Sequence, residues 1–352
     1  MQKYECQVCG AELHWDPNAG SLKCRYCDTE YQPSDFEDKT TEEGAEDTSA
    51  AVDKQYTSHA DTSSDMLVYK CDECGAEVVA SDSTMQTVCP YCGRAISITD
   101  KTAGNFRPEK LIPFAVDRAK ATELLTKYTK ASILTPKLFK DEHTIEKTQG
   151  LFVPFYLHSF KSKGRANIEG KNSTSHRRGD DKVTTHKVYE VNLEAQGDFQ
   201  DIPTDASSKL DNALMDALEP YSYDKVQDFN PAFMAGFFAE QPDESVEITN
   251  TRAETRAKEA MDKLMLDEAG AFEEKHILTS NYKFGAKTNK YAMLPVWLMH
   301  VDWGGKKYTY AVNGETGEVV GKLPISKGTL AAILGGAFAA IQLVAGIVMI
   351  FV

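Results

Sequence analysis

The chain has 352 residues, 53 of them acidic and 39 basic, for a formal net charge of −14. An excess of negative charge repels phosphate backbones, which counts against nucleic acid as a partner for the chain as a whole. The length allows two or three domains. All eight cysteines fall within the first 92 residues in two matched sets, leaving none for a nucleophile or a disulfide.

The first set is Cys6, Cys9, Cys24 and Cys27; the second is Cys71, Cys74, Cys89 and Cys92. In each, fourteen residues separate two Cys-x2-Cys pairs, the spacing of a zinc ribbon. Each pair makes a tight knuckle, and the hairpin between them completes a tetrahedral four-thiolate shell. Two structural zinc ions are expected, because four thiolates leave no coordination position open for catalysis. Tyr4-Glu5-Cys6-Gln7-Val8-Cys9-Gly10-Ala11-Glu12 parallels Tyr69-Lys70-Cys71-Asp72-Glu73-Cys74-Gly75-Ala76-Glu77, and Cys24-Arg25-Tyr26-Cys27 parallels Cys89-Pro90-Tyr91-Cys92. This is a duplication at an offset of 65 residues, with Gly10 and Gly75 placed where a positive φ is needed. A disulfide framework would require an oxidising compartment, and the residues before Cys6 carry no signal peptide. Both ribbons are acidic, and each four-thiolate zinc site adds about two further negative charges. Protein contact is the expected role of the ribbons.

The sequence divides into ribbon 1 over residues 1–34, an acidic disordered linker over 35–65, ribbon 2 over 66–100, an α+β domain over 101–327 and an apolar tail over 329–352. The linker is rich in Asp, Glu, Thr and Ser and cannot bury enough apolar surface to offset ordering. In the α+β domain, residues 117–130 read as a short helix with Ala121, Leu124, Leu125 and Tyr128 on one face. Ser207 or Ser208 is placed to cap a second, ending before Pro220. Pro231 opens a third through Phe233, Met234, Phe237 and Phe238. Ala253, Ala257, Ala260, Met261 and Leu264 line a longer, amphipathic one.

Residues 183–195 alternate as a strand, and 307–320 read as a hairpin turning at Asn313-Gly314-Glu315-Thr316-Gly317. Two aromatic runs, 150–158 and 292–300, echo each other. Pro154 and Pro295 within them point to a strand start or edge. The fold class expected is α+β.

Residues 329–352 carry no charge and only Gln342 is strongly polar. About 20 apolar residues span a bilayer core, so the tail is read as a transmembrane helix. Lys322 and Lys327 precede it, which keeps residues 1–327 on the cytoplasmic side of the cell membrane as a single-pass protein.

No enzyme signature is found. The nearest approach to a phosphate-binding loop, residues 164–172, has Asn172 where Ser or Thr is needed. His158 and His300, after the aromatic runs, are the candidate histidines, and Asp201 and Asp205 are a candidate carboxylate pair beside a helix start. His14, next to the ribbon cysteines, is expected to pack in the ribbon loop. None of these residues converges on a site, and the chain is not expected to be an enzyme.

Several stretches together resemble a known family. They are Leu111-Ile112-Pro113-Phe114, Gln149-Gly150-Leu151-Phe152-Val153-Pro154-Phe155-Tyr156-Leu157, Ile202-Pro203-Thr204-Asp205-Ala206-Ser207, Glu219-Pro220-Tyr221, Ala235-Gly236-Phe237, Leu294-Pro295-Val296-Trp297 and Tyr310-Ala311-Val312-Asn313-Gly314-Glu315-Thr316-Gly317. With the ribbons, the chain resembles the Firmicute zinc-ribbon membrane proteins often labelled TFIIB-type. The resemblance implies an adaptor of envelope stress, beside phage-shock-protein-A-like and flotillin-like partners at the membrane. The reading is therefore a membrane-anchored scaffold that docks proteins. The alternatives are a nucleic-acid-linked zinc-ribbon factor, in transcription or replication, and a membrane hydrolase using His158 or His300.

Overall fold

The computed structural model describes residues 4–36, 66–71, 73–81, 89–92 and 108–351. The acidic linker lies outside the described residues from residue 37 onward. The fold is mixed α+β and divides into two compact units. The first comprises Met1–Val153, Lys209–Gln241 and Met293–Val352, the second Pro154–Ser208 and Pro242–Ala292. Residues 101–327 are thus shared between both units, and the ribbons belong to the first.

The chain begins with β1 (Leu13–Asp16), β2 (Ser21–Cys24) and β3 (Glu30–Tyr31), then β4 (Met66–Lys70) and β5 (Glu77–Ser81). It continues through β6 (Lys110–Leu111), α1 (Arg118–Lys130), α2 (Glu142–Ile145), β7 (Gln149–Arg178) and β8 (Asp181–Asp205). Next come α3 (Asn212–Ala217), β9 (Gln227–Asp228), β10 (Phe238–Glu240) and α4 (Val246–Glu268). It closes with β11 (Glu274–Trp303), β12 (Lys306–Asn313), β13 (Val319–Gly321) and α5 (Lys327–Phe351).

In the first unit, β1, β2 and β3 form an antiparallel sheet in that order, with Leu13 opposite Cys24 and Lys23 opposite Glu30. Alternation puts Leu13 and Trp15 on its buried face. A second sheet runs β13-β12-β11-β7-β10-β5-β4. The hairpin of ribbon 2 joins this sheet: β5 pairs with β4 on one side and with β10 on the other, Val79 opposite Ala239. β10 runs parallel to the start of β7, with Phe238 opposite Leu151. The core is aromatic. Phe114 stacks on Phe237 at 4.1 Å and meets Phe152 and Trp297 edge-on at 5.0 and 5.1 Å, the offset and T-shaped arrangements that ring quadrupoles favour. Gly150 lies so close to these rings that an added Cβ would stand 2.6 Å from Phe237.

Asp117 caps α1 by accepting from the backbone N–H of Lys120, and Ala121 and Leu125 are buried beneath it, as their spacing requires. The cap expected at Ser207 or Ser208 is instead Asp211, which accepts from the Ala213 N–H at the start of α3. Ser207 is buried, and Ser208 bonds through its N–H and its hydroxyl to Asp243. The helix expected from Pro231 is one 3-10 turn, Pro231–Met234; Gly236, at φ 90°, redirects the chain into β10. Apolar residues at nearly every position of 231–239 fit a buried strand as well as a helix, since periodicity alone does not separate the two.

In the second unit, β7 and β8 form a long antiparallel hairpin from Phe155 opposite Asp205 to Arg178 opposite Asp181, closed at Gly179. Along β11, Lys171 pairs with Glu274 at 3.0 Å and Gly164 lies against Tyr282, so β11 runs opposite to β7. Helix α4 buries Ala253 and Ala257 with Phe160, and Met265 and Ala269 with Ala166 and Ile168. The expected residues Ala260 and Leu264 face solvent, because the helix presents a narrower stripe than the sequence suggested.

Pro154 and Pro295 lie inside 30-residue strands rather than at their ends. Each falls just before the limit of a partner strand: β8 ends at Asp205 opposite Phe155, and β12 ends at Asn313 opposite Val296. A missing N–H is tolerated at such a junction.

Helix α5 is 25 residues long. Its side chains are described as far as Val344, apart from residue 343. Among the described residues no helix is long and apolar enough to cross a membrane.

Candidate metal centre

Both cysteine sets converge as the spacing requires. Within each set the four sulfurs lie within 4.8 Å of one another. Cys6 to Cys27, Cys9 to Cys24 and Cys9 to Cys27 are 3.4, 3.5 and 3.6 Å apart. In the second set, Cys71 to Cys92 is 3.6 Å and Cys74 to Cys89 is 3.7 Å. These are far longer than a disulfide bond of about 2.05 Å. A tetrahedral ion with metal–sulfur bonds of about 2.3 Å has sulfur–sulfur edges of about 3.8 Å, and both sets fit it. Each can hold one metal ion, and four thiolates complete its shell.

The knuckles are built by backbone. In ribbon 1 the Cys6 N–H donates to the Ala11 carbonyl at 2.7 Å and the Gly10 N–H donates back to Cys6 at 2.8 Å. Ribbon 2 repeats this with Cys71, Ala76 and Gly75, both bonds at 2.8 Å. Gly10 and Gly75 have φ of 71° and 70°, the left-handed geometry the turn demands. The second knuckle of ribbon 1 uses the same device: Cys24 donates to Thr29, and Asp28 donates to Cys24 at φ 54°. Sequence reading missed Asp28. The signal was there, since the duplicate has Gly93 at that position.

The surroundings favour the thiolate at Cys6 and Cys24 and oppose it at Cys9, pushed up to about 12 beside the Cys24 sulfur, and at Cys89, raised by burial. The Tyr31 hydroxyl, 3.4 Å from the Cys6 sulfur, brings its pKa down to about 6. The backbone N–H groups of Cys27 and Tyr26 lower that of Cys24. Tyr31 supports the site from outside the cysteine pattern and was not legible from it. Such outer partners orient metal ligands.

Each ribbon is tied into the first unit by a side chain that is not a ligand. The Trp15 indole N–H donates to the Phe114 carbonyl at 2.9 Å, and its ring packs edge-on against Phe233 at 4.7 Å. Beside ribbon 2, His300 donates from Nε2 to the Pro90 carbonyl and accepts at Nδ1 from the Thr309 hydroxyl. Burial pushes its pKa down to about 4, so it is neutral. Lys307 donates to the Tyr91 carbonyl.

The remaining candidates form no catalytic group. His158 is fully buried, with Nδ1 donating to Asn289 and Nε2 accepting from Thr204, both at 2.7 Å. Asp201 and Asp205 do not act as a pair: Asp201 accepts from Lys290 at 3.1 Å and Asp205 from Arg252 at 2.6 Å. His14 is half-buried on β1, and desolvation lowers its pKa; it is not among the converging ligands.

No family model matches the chain, and no solved structure matches it. It is similar to the uncharacterized protein YdjG of Bacillus subtilis (strain 168), with 30% identity over 350 residues, covering 97% of this chain and 96% of that one. Similarity at that level along nearly the whole of both sequences places the chain in the same family as YdjG.

Proposed function

We propose that the chain is a non-enzymatic, membrane-anchored scaffold, stapled by two zinc ions, that docks partner proteins at the cytoplasmic face of the cell membrane. The observation carrying this reading is α5. Leu330, Ile333, Leu334, Phe338, Ile341 and Val344 are all at least 36% exposed, and no charged residue follows Lys327. A helix that is apolar all round needs an apolar surrounding, and none of the described protein supplies it. Its described side chains stop at Val344, short of a span, but the uncharged sequence runs on to Val352, and 24 residues at about 1.5 Å each would extend about 36 Å, more than the hydrocarbon core of about 30 Å. Lys322 and Lys327 before it favour a cytoplasmic head, the side where thiolates stay reduced. Zinc is the metal that four thiolates in a closed tetrahedron suit best. The envelope-stress setting, with phage-shock-protein-A-like and flotillin-like partners, rests on the family resemblance of the sequence.

The test is removal of residues 329–352. The full chain should stay with membranes through a carbonate wash, and the shortened chain should move to the soluble extract. Pelleting of the shortened chain, or carbonate release of the full one, would overturn the anchor. In sealed protoplasts an external protease should leave the ribbons intact; cleavage there would reverse the sidedness.

A further inference from the structure

The ribbons are copies of each other, so matching positions report on each other's surfaces. Tyr91 of ribbon 2 is 5% exposed, whereas Tyr26, its counterpart 65 residues earlier, is 85% exposed. Cations and donors are part of the surroundings of Tyr91. The Lys209 ammonium stands 5.8 Å from its ring centroid, Lys307 donates to its carbonyl and His300 to that of Pro90. A four-thiolate knuckle thus offers three attractions to lysine or histidine: outward carbonyls, an aromatic face and the negative charge of the cluster. In ribbon 1 the corresponding aromatic face, Tyr26, is uncovered beside a cluster of the same four thiolates. Val8, on the other knuckle, is 71% exposed as well, while Trp15 already ties the ribbon to Phe114 and Phe233. Between residues 4 and 36, Glu5, Glu12, Asp16, Asp28, Glu30 and Asp35 face only Lys23 and Arg25. Arg25 offsets one of the roughly two negative charges of a filled cluster and leaves the tip anionic.

We propose that the Val8 and Tyr26 tip of ribbon 1 is a docking surface for a partner protein that presents lysine and histidine side chains, as Lys209, His300 and Lys307 are presented to Tyr91. The inference rests on the scaffold reading and adds where the partner sits and what chemistry it carries. A second copy would have to use other side chains, because its own Lys209, His300 and Lys307 are engaged at its own Tyr91 knuckle.

The experiment titrates hexalysine into the full-length, metal-loaded chain in detergent, with the NMR signals of Val8 and Tyr26 as the readout. Tyr26→Ser and Val8→Ser leave the net charge unchanged, so a loss of binding reports on the tip and not on overall charge. Ile133→Ser, at a position 77% exposed elsewhere in the same unit, is the control. Expected are shifts at both tip residues, binding about tenfold weaker in each tip variant and unchanged in the control, and no shift with hexaglutamate. Metal content of two ions per chain verifies that the variants fold. Equal hexalysine binding by Tyr26→Ser, or shifts confined to other residues, would overturn the proposal. Tyr26-dependent binding of a DNA duplex would also overturn it, giving the tip to nucleic acid. A chain that remains membrane-held while Tyr26→Ser binds hexalysine normally loses this inference and keeps the scaffold reading.

Discussion

Trp15 and Trp297 hold the same short stretch of chain. The Trp15 indole N–H donates to the carbonyl of Phe114 and the Trp297 indole N–H to that of Val116, both at 2.9 Å. Between them, the Ala115 and Val116 N–H groups both donate to the Gly314 carbonyl, at 2.9 and 2.8 Å. Residues 114–116 are therefore fixed by a ribbon residue and a β11 residue together. Trp15→Phe keeps the ring and removes the donor, leaving a buried carbonyl unpaired at about 1–3 kcal/mol. Hydrogen exchange should then show ribbon 1 amides opening about tenfold or more faster. Unchanged protection in the variant would mean that this bond does not hold the ribbon.

Metal content should follow the cysteines independently. Cys9→Ser should remove one ion and Cys74→Ser the other, with the double variant near none. Elemental analysis of the purified chains measures this. Two ions retained by the double variant would refute the ligand assignment.

His300→Ala removes the donor that steadies the Pro90 carbonyl, next to the ligand Cys89. Loss of a supporting contact of this kind typically weakens a metal site about tenfold or more. Chelator competition should show the second ion leaving more readily while the first is unaffected.

Asp205 is fully buried and accepts from Arg252 at 2.6 Å. Arg252→Met takes the guanidinium away from that buried carboxylate and should cost about 3–5 kcal/mol by urea unfolding. Replacing both, with Asp205→Leu added, should recover much of the loss, because well-packed apolar side chains of similar volume substitute for a buried ion pair.

A pH dependence follows from Glu315. Burial acts to raise its pKa, yet hydrogen bonds from Lys225 and from the Ser222 N–H prevail and hold it below the ordinary 4.5. A depressed carboxylate stabilises the fold fully above its unfolded pKa, and that contribution is lost as pH falls through the folded value. Acid unfolding should therefore begin below about pH 4.5 and be less steep in Glu315→Gln. An identical acid profile for the variant would exclude this contribution.

The knuckles were legible because their determinants are local: a cysteine, a fixed spacing and a glycine four residues on. The cap of α1 at Asp117 was legible for the same reason. What local pattern could not supply was environment. Tyr26 and Tyr91 sit in matching sequences, and contacts from distant segments, Lys209, His300 and Lys307 among them, set the two apart. The 231–239 run misled because nearly every residue is buried, which erases the period that separates strand from helix. Ser207 and Ser208 were plausible caps until Asp211 proved better placed and Asp243 engaged Ser208. The division into two units was also invisible: β7 crosses it inside one apolar run, at Val153 and Pro154, and the change from polar to apolar at Ala292 in β11 reads as a strand start and not as a boundary.

The segment order that interrupts the first unit has a consequence for synthesis on the ribosome. The second unit has all its residues once Ala292 has been added, whereas the first still lacks Met293–Val352, including β12 and β13. Domains generally fold as units while the chain is being made, so the inserted unit can close first. Its host stays open along the β11 edge until β12 emerges. A nascent chain halted just after residue 292 and clear of the exit tunnel would carry a protease-resistant second unit and a protease-sensitive first.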